Sequence, residues 1–379
     1  MRKKIALFHH NLLVHRGGGD LVCAWVLEAL KDDFDLTFIT WGKKISLAEV
    51  DLFYGTSLAK SQIKIEYIPV LTYLGLENRP YRLLVALIER YLKKRRNDFD
   101  VLFSTYNELD FGKKGIQFIH GPSRSDVGAQ FYLLDYKKSY LRGLYHGFCN
   151  WLSDFDIDRV RANTTLVNSE WGAKVYKETY GDYPATVAYV PIVFRGQPLP
   201  WEQRRNDFLC IGDLLPVKKT HESFKVVQKV RALGHDIGLR VIGDTPGAYA
   251  RFVKQEAKKY PFVTMEGRCP REKVSELISQ SRYGIHMRDY EGFGIGIGEM
   301  AFAGCLVFVP GKGGGQLEAL NFNSNLLYNG IDDAVNKIDA MLKNPDLQKC
   351  VQKEIMEHAV QFSAENFKQR IQEIVRNFN

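Results

Sequence analysis

Short β-rich runs alternate with helical stretches from end to end of this chain, the pattern expected of parallel sheets covered by helices. Strand candidates in the first half are 4–9, 35–41, 65–68, 100–104, 116–120 and 164–168; in the second half they are 207–212, 238–243, 262–266, 283–287, 305–309 and 325–328. Two sets of six predict an α/β protein with two Rossmann-like halves, and 379 residues suit two or three domains. The seam falls at 191–205, where PIVFRGQPLPWEQRR carries three prolines and a glycine with no sustained apolar period. Domains of 1–194 and 195–361 are expected. They are followed by a terminal helix within 362–379, with apolar positions at Phe367, Ile371, Ile374 and Val375.

A composition of 45% hydrophobic and 25% charged residues lets such a chain bury its cores without staples, and excludes disordered or collagen-like order. The six cysteines form no C-x-x-C pair, which argues against a disulfide framework or a zinc ribbon and for buried thiols in a reducing compartment. The formal charge of +8 suits a polyanion, an anionic membrane surface or a phosphorylated small molecule, without choosing among them. The start, MRKKIALFHHNLL, has an apolar run of only Ile5 to Phe8, too short for a signal-peptide core. No stretch approaches the roughly 18 apolar residues of a membrane span. A cytoplasmic protein is expected, at most laid on a membrane surface.

The string RDYEGFGIGIGEMAFAG follows the strand candidate at 283–287, where ligands gather in open α/β sheets. Glu291 and Glu299 bracket the alternating glycines Gly292, Gly294, Gly296 and Gly298. The bare backbone lets amides of Phe293, Gly294 and Ile295 approach phosphate oxygens at the start of the next helix. Glu299, one turn into that helix, is placed to accept hydrogen bonds from two sugar hydroxyls of a nucleotide. Glu291 would face the other end of a bound diphosphate sugar. A plain strand-to-helix connection, with Glu299 complementing the helix dipole, is the competing explanation.

This string resembles the E-x7-E signature of glycosyltransferase family 4, the large retaining family with the GT-B fold, and further pieces occur in the family's order. They are GGG at Gly17, Gly18 and Gly19, FIH ending at His120, NSEW from Asn168, IGDLLPVK from Ile211, VIGD from Val241, MEGRCPREKVSEL from Met265 and GGQLE from Gly314. The resemblance spans nearly the whole chain. It implies two Rossmann-like domains with sheets facing across a cleft, an acceptor domain first and a nucleotide-sugar donor domain second, and a C-terminal helix crossing back to the first. By the same resemblance Glu291 contacts donor-sugar hydroxyls, Phe293, Gly294 and Ile295 hold the diphosphate, Glu299 binds the ribose, Lys218 neutralises the diphosphate, and His120 lies beside the sugar. Gly17, Gly18 and Gly19 would form a loop closing over the phosphates. The acceptor hydroxyl would attack the face that the diphosphate leaves, the phosphate taking its proton, so that no dedicated base is needed.

One departure stands out: Asp213 occupies the position where the family usually has Arg, five before Lys218. Uncompensated at ~5 Å and an effective dielectric of about 20, the reversed charge costs roughly 3 kcal/mol. Asp213 is therefore expected to turn away or to find a partner such as Lys219 or Arg288. The D-x-D strings at 33–35, 98–100, 154–156 and 156–158 read as solvated surface acids, and His9, His10 and His15 lack metal-ligand spacing. No metal and no cofactor are expected; the donor is a substrate.

The stretch RPYRLLVALIERYLKKRR at 79–96 holds an apolar helical stripe and most of the chain's basic excess, suiting either a sheet-covering helix or docking on anionic lipid. Aromatic and basic residues mixed between Phe131 and Trp151 suit a glycan or lipid-linked acceptor, or simply a helix core. Rival readings are an NAD(P)-dependent oxidoreductase, weakened by the missing G-x-G-x-x-G after the first strand, and a non-catalytic binding protein on a degenerate GT-B fold. Nucleic-acid binding is disfavoured, since the basic excess sits in one helix rather than along an aromatic groove.

Overall fold

The computed structural model describes residues 2–69, 71, 81–121 and 140–378. Two compact units emerge, one comprising Met1–Pro191 with Ala364–Asn379 and the other Ile192–Ser363.

The first unit is built on seven strands: β1 (Lys4–Phe8), β2 (Asp35–Thr40), β3 (Lys64–Tyr67), β4 (Val101–Ser104), β5 (Ile116–Ile119), β6 (Thr164–Val167) and β7 (Ala185–Val187). All neighbours pair in parallel in the order β3-β2-β1-β4-β5-β6-β7. Central β1 is apolar at four successive positions, Ile5 to Phe8, because helices cover both faces of the sheet. Edge strand β7 was not among the strand candidates; three half-buried residues are too few to carry a period. The terminal helix Ala364–Arg376 packs on the helix Gly18–Leu30. It buries Phe367, Ile371 and Val375, while Gln372 Nε2 donates to Ala29 O at 2.8 Å and Arg376 pairs with Asp33.

Basic residues of the helix Tyr81–Arg95 are partly consumed inside this unit. Lys93 is buried, donating to Asp110 Oδ2 and to the carbonyls of Ser153 and Asp154 at 2.6–2.7 Å. Arg82 bonds Asn150 and Arg95 pairs with Glu66 and Asp98. Arg90, Lys94 and Arg96 remain exposed; Arg79 lies outside the described residues. The packed partner helix, Tyr140–Ser153, exposes Leu144, Phe148 and Trp151. Residues 131–139 of the aromatic stretch also lie outside the described residues.

The second unit holds β8 (Arg205–Ile211), β9 (Gly238–Ile242), β10 (Val263–Gly267), β11 (Ser281–Ile285), β12 (Leu306–Pro310) and β13 (Leu327–Tyr328). Its parallel order is β10-β9-β8-β11-β12-β13. In each unit the chain works outward on one side of its first strand and then returns to the other side. This creates a switch point, between β1 and β4 or between β8 and β11, where loops at the strands' carboxyl ends converge. All six cysteines are unpaired; four are buried, but Cys269 is half-buried and Cys350 exposed, so the expectation of uniformly buried thiols is corrected at those two. No helix among the described residues is long and apolar enough to cross a membrane.

Candidate active site

At the switch point of the second unit, β11 runs into a loop that ends at Gly294, the N-cap of the helix Ile295–Phe302. Gly294 has φ +86°, a conformation any side chain would strain. Its carbonyl accepts from the amides of Ile297 and Gly298, so the amides of Ile295 and Gly296 are the ones helix geometry leaves without intrahelical partners. Gly294, Ile295 and Gly296 are half-buried, whereas Phe293 is buried with its ring edge-on to Phe362 at 4.9 Å.

Glu291 is 8% exposed and collects three basic side chains. Lys218, from the turn Pro216–Lys218 after β8, pairs with Oε1; Arg288 Nη1 lies 3.2 Å from Oε2; His286 Nε2 lies 3.4 Å from Oε1. Burial alone would raise the carboxyl's pKa, but Lys218, His286 and Arg288 outweigh it and hold Glu291 well below the usual carboxylate range. His286 itself is pushed down by burial.

The loop carrying Glu291 is fastened from the GGQLE segment. Gln316 is fully buried; its Oε1 accepts from the Glu291 amide at 2.6 Å and its Nε2 donates to Asp289 O at 2.9 Å. The Gly315 amide donates to Glu291 O at 2.9 Å. At Gly314 a Cβ would lie 2.7–2.8 Å from the Glu291 backbone, so only glycine permits this approach. Tyr328 donates its hydroxyl to His286 O.

Glu299 is 2% exposed, and Arg271, the first residue of the helix Arg271–Gln280, pairs with it through both guanidinium ends. Both acids of the signature thus point inward. Asp213 is exposed; Lys219 pairs instead with Asp289 at 2.7 Å, and Arg288 lies on Glu291. Sequence reasoning assigned no role to His286, Arg271 or Gln316, and offered Arg288 only as a partner for Asp213. Arg271, Gln316 and Arg288 sat inside quoted motifs, but only the folded loop brings His286 and Arg288 onto Glu291.

The switch point of the first unit holds the remaining predicted residues. His120 ends β5 and donates its backbone amide to Asn107 Oδ1 at 2.9 Å, while its Nε2 lies 3.2 Å from Thr105 O. Asn168 of NSEW donates to His120 O at 3.2 Å. Burial pushes the His120 imidazole down to about 4, so it is neutral at pH 7. Residues 122–139, which follow soon after it, lie outside the described residues. Gly17 caps the helix Gly18–Leu30, and Gly18 and Gly19 open it, where a free loop was expected. The D-x-D acids make local contacts: Asp33 with Arg376, Asp35 with Lys64, Asp98 with Arg95, Asp100 with the Lys4 amide, Asp154 and Asp156 with Arg159, and Asp158 with Arg161. His9 and His10, read as ordinary from their spacing, are brought together with Asp20.

Comparison with known proteins bears on the second unit most directly, since residues 196–358 match the family described as glycosyl transferases group 1. The matched stretch lies within the second unit and contains Lys218, Glu291, Glu299 and every residue found touching the two acids. No curated protein matches the chain by sequence. Solved structures with the GT-B fold match the whole chain, in which two Rossmann-like domains follow one another. Anabaena HepE, solved with UDP and glucose, is similar with a TM-score of 0.69 at 14% identity, covering 99% of this chain and 100% of its own. WaaG, a glycosyltransferase involved in lipopolysaccharide biosynthesis, gives 0.66 at 13% identity over 99% and 100%. A mutant of S. aureus TarM, in complex with fondaparinux, α-GlcNAc-glycerol and UDP, gives 0.69 at 11% over 99% and 100%.

Proposed function

We propose that this protein is a retaining, metal-independent glycosyltransferase that moves a sugar from a nucleotide diphosphate donor to an acceptor hydroxyl in glycan or glycolipid assembly. One observation carries the reading: Lys218 and Arg288 meet on the buried carboxylate of Glu291, four residues before the start of the Ile295–Phe302 helix, whose first amides have no intrahelical partners. Two cations and a helix N-terminus form a preorganised cradle for the charge that grows on a leaving diphosphate. Arg288 supplies a second cation where Asp213 withholds one. Glu291 orients donor-sugar hydroxyls, and Glu299 accepts from the ribose while sharing Arg271.

The acceptor is taken by the first domain and the donor by the second. Exposed Leu144, Phe148 and Trp151, beside Arg90, Lys94 and Arg96 on the packed helix, support peripheral attachment to an anionic cytoplasmic membrane face, at about 1 kcal/mol per well-placed cation. Thermal-shift screening against UDP-, GDP- and ADP-linked sugars tests the donor assignment, and NMR of the product's anomeric configuration tests retention. Stabilisation by NAD(P) with none by any nucleotide sugar would overturn the proposal, as would an inverted product.

A further inference from the structure

Outside the proposed donor site, the first unit holds three side chains that converge without a shared chemical reason so far. His9 and His10 leave β1, and Asp20 sits in the first turn of the Gly18–Leu30 helix. Asp20 Oδ1 lies 3.2 Å from His9 Nε2 and 2.6 Å from His10 Nε2, and the two imidazoles lie tilted by 30° with ring centroids 4.1 Å apart. All three ligand atoms fall within 4.8 Å of one another. A tetrahedral ion at about 2.0–2.2 Å from its nitrogen and oxygen ligands separates those ligands by roughly 3.3 Å, so small movements of His10 bring the set to bonding distance.

The surroundings are those of ligands already oriented. Thr105 Oγ1 meets His9 Nδ1 at 3.0 Å and also reaches Phe8 O, while Asp20 Oδ2 accepts the Gly17 amide at 2.6 Å. If the Thr105 hydroxyl proton goes to Phe8 O, Nδ1 of His9 is the protonated nitrogen, and the Nε2 lone pair faces the Asp20 carboxylate. Two acceptors at that distance repel unless a cation lies between them. Nδ1 of His10 is buried with no hydrogen-bond partner among the described residues, and Nε2 faces only the Asp20 carboxylate. An outer shell fixing one nitrogen so that the other points at an ion is the usual arrangement at protein metal centres.

We infer that His9, His10 and Asp20 form a binding site for one divalent transition-metal ion of the zinc class. Two imidazoles and one carboxylate select such an ion over magnesium or calcium, which prefer all-oxygen shells. Three protein ligands leave a fourth position for water or for His15, whose exposed ring stands edge-on 5.0 Å from His10. The site is independent of the donor reading, which concerns the other unit.

The test uses the full-length protein without a histidine tag, stripped with chelator and titrated with cobalt(II) and zinc(II). Expected are one ion per chain, ligand-field absorption in the visible from cobalt, its displacement by zinc, and a raised Tm. His10→Gln, at a partly exposed position, should weaken cobalt binding at least about tenfold while the apo protein keeps its fold. Asp20→Asn should do the same, and circular dichroism separates loss of the ligand from loss of the helix cap. Absent cobalt absorption with no zinc-induced Tm shift would overturn the inference, and so would binding that His10→Gln leaves unchanged.

Discussion

Glu291→Gln separates the two tasks that its position combines. The carboxylate is held by Lys218, Arg288 and His286, and removing its charge leaves two cations facing each other in a nearly closed site. Breaking a buried ion pair costs about 3–5 kcal/mol; because the Lys218 side chain is 21% exposed, about 3 kcal/mol is the appropriate figure. At about 2–4 °C per kcal/mol for a unit of this size, Tm should fall by about 6–12 °C. Free nucleoside diphosphate replaces the lost negative charge, so its affinity should hold or rise, and at about 100 times Kd it should restore roughly 2.7 kcal/mol. Donor turnover, followed as transfer or as hydrolysis to water, should drop at least about a hundredfold, because the sugar loses its orienting carboxylate. Differential scanning fluorimetry with UDP, GDP or ADP, followed by donor hydrolysis, measures all three. A Tm within about a degree of wild type refutes the ion-pair reasoning, and nucleoside diphosphate binding weakened tenfold or more refutes the division of labour.

Gly296→Ala and Gly314→Ala should part company. A Cβ at Gly296 makes only ordinary contact with Ile211 at 3.5 Å, so the fold should hold while donor KM rises; at Gly314 it strikes the Glu291 backbone, costing upwards of about 2 kcal/mol in urea unfolding. Glu299→Ala should raise donor KM with little change in kcat, and a pure kcat loss in steady-state assays would contradict its ribose role. His120 is held near 4, below its ordinary 6.5, so the unfolded chain takes up the proton first as pH falls. Its contribution is therefore complete above about pH 6.5 and lost between there and about 4. His120→Gln should flatten the fall of Tm over that window, and an unchanged slope would contradict the neutral, buried imidazole.

Periodicity is a local property, and it made twelve of the thirteen strands and the two-unit α/β plan legible before any coordinates; β7, three residues long, lacks the length for a period to exist. The glycine-rich string between Glu291 and Glu299 was equally legible as the start of a helix, with Gly294 at φ +86° as its cap. Charge pairing is not local. Nothing in the order of residues says that Lys218 crosses from the loop after β8 to Glu291, or that Gln316 reaches back to hold the Glu291 amide.

The same limit explains the rest. The basic surplus at 79–96 looked like a surface patch because sequence cannot see Asp110 waiting for Lys93, or Glu66 for Arg95. His9, His10 and Asp20 have no recognisable ligand spacing, since a strand end and the first turn of the following helix converge only after β1 pairs with its neighbours. By itself the sequence determined which segments are strands and helices, because those follow from short-range pattern. Which charges neutralise which was decided only by the tertiary structure, because burial and long-range approach set the strength of every such pair.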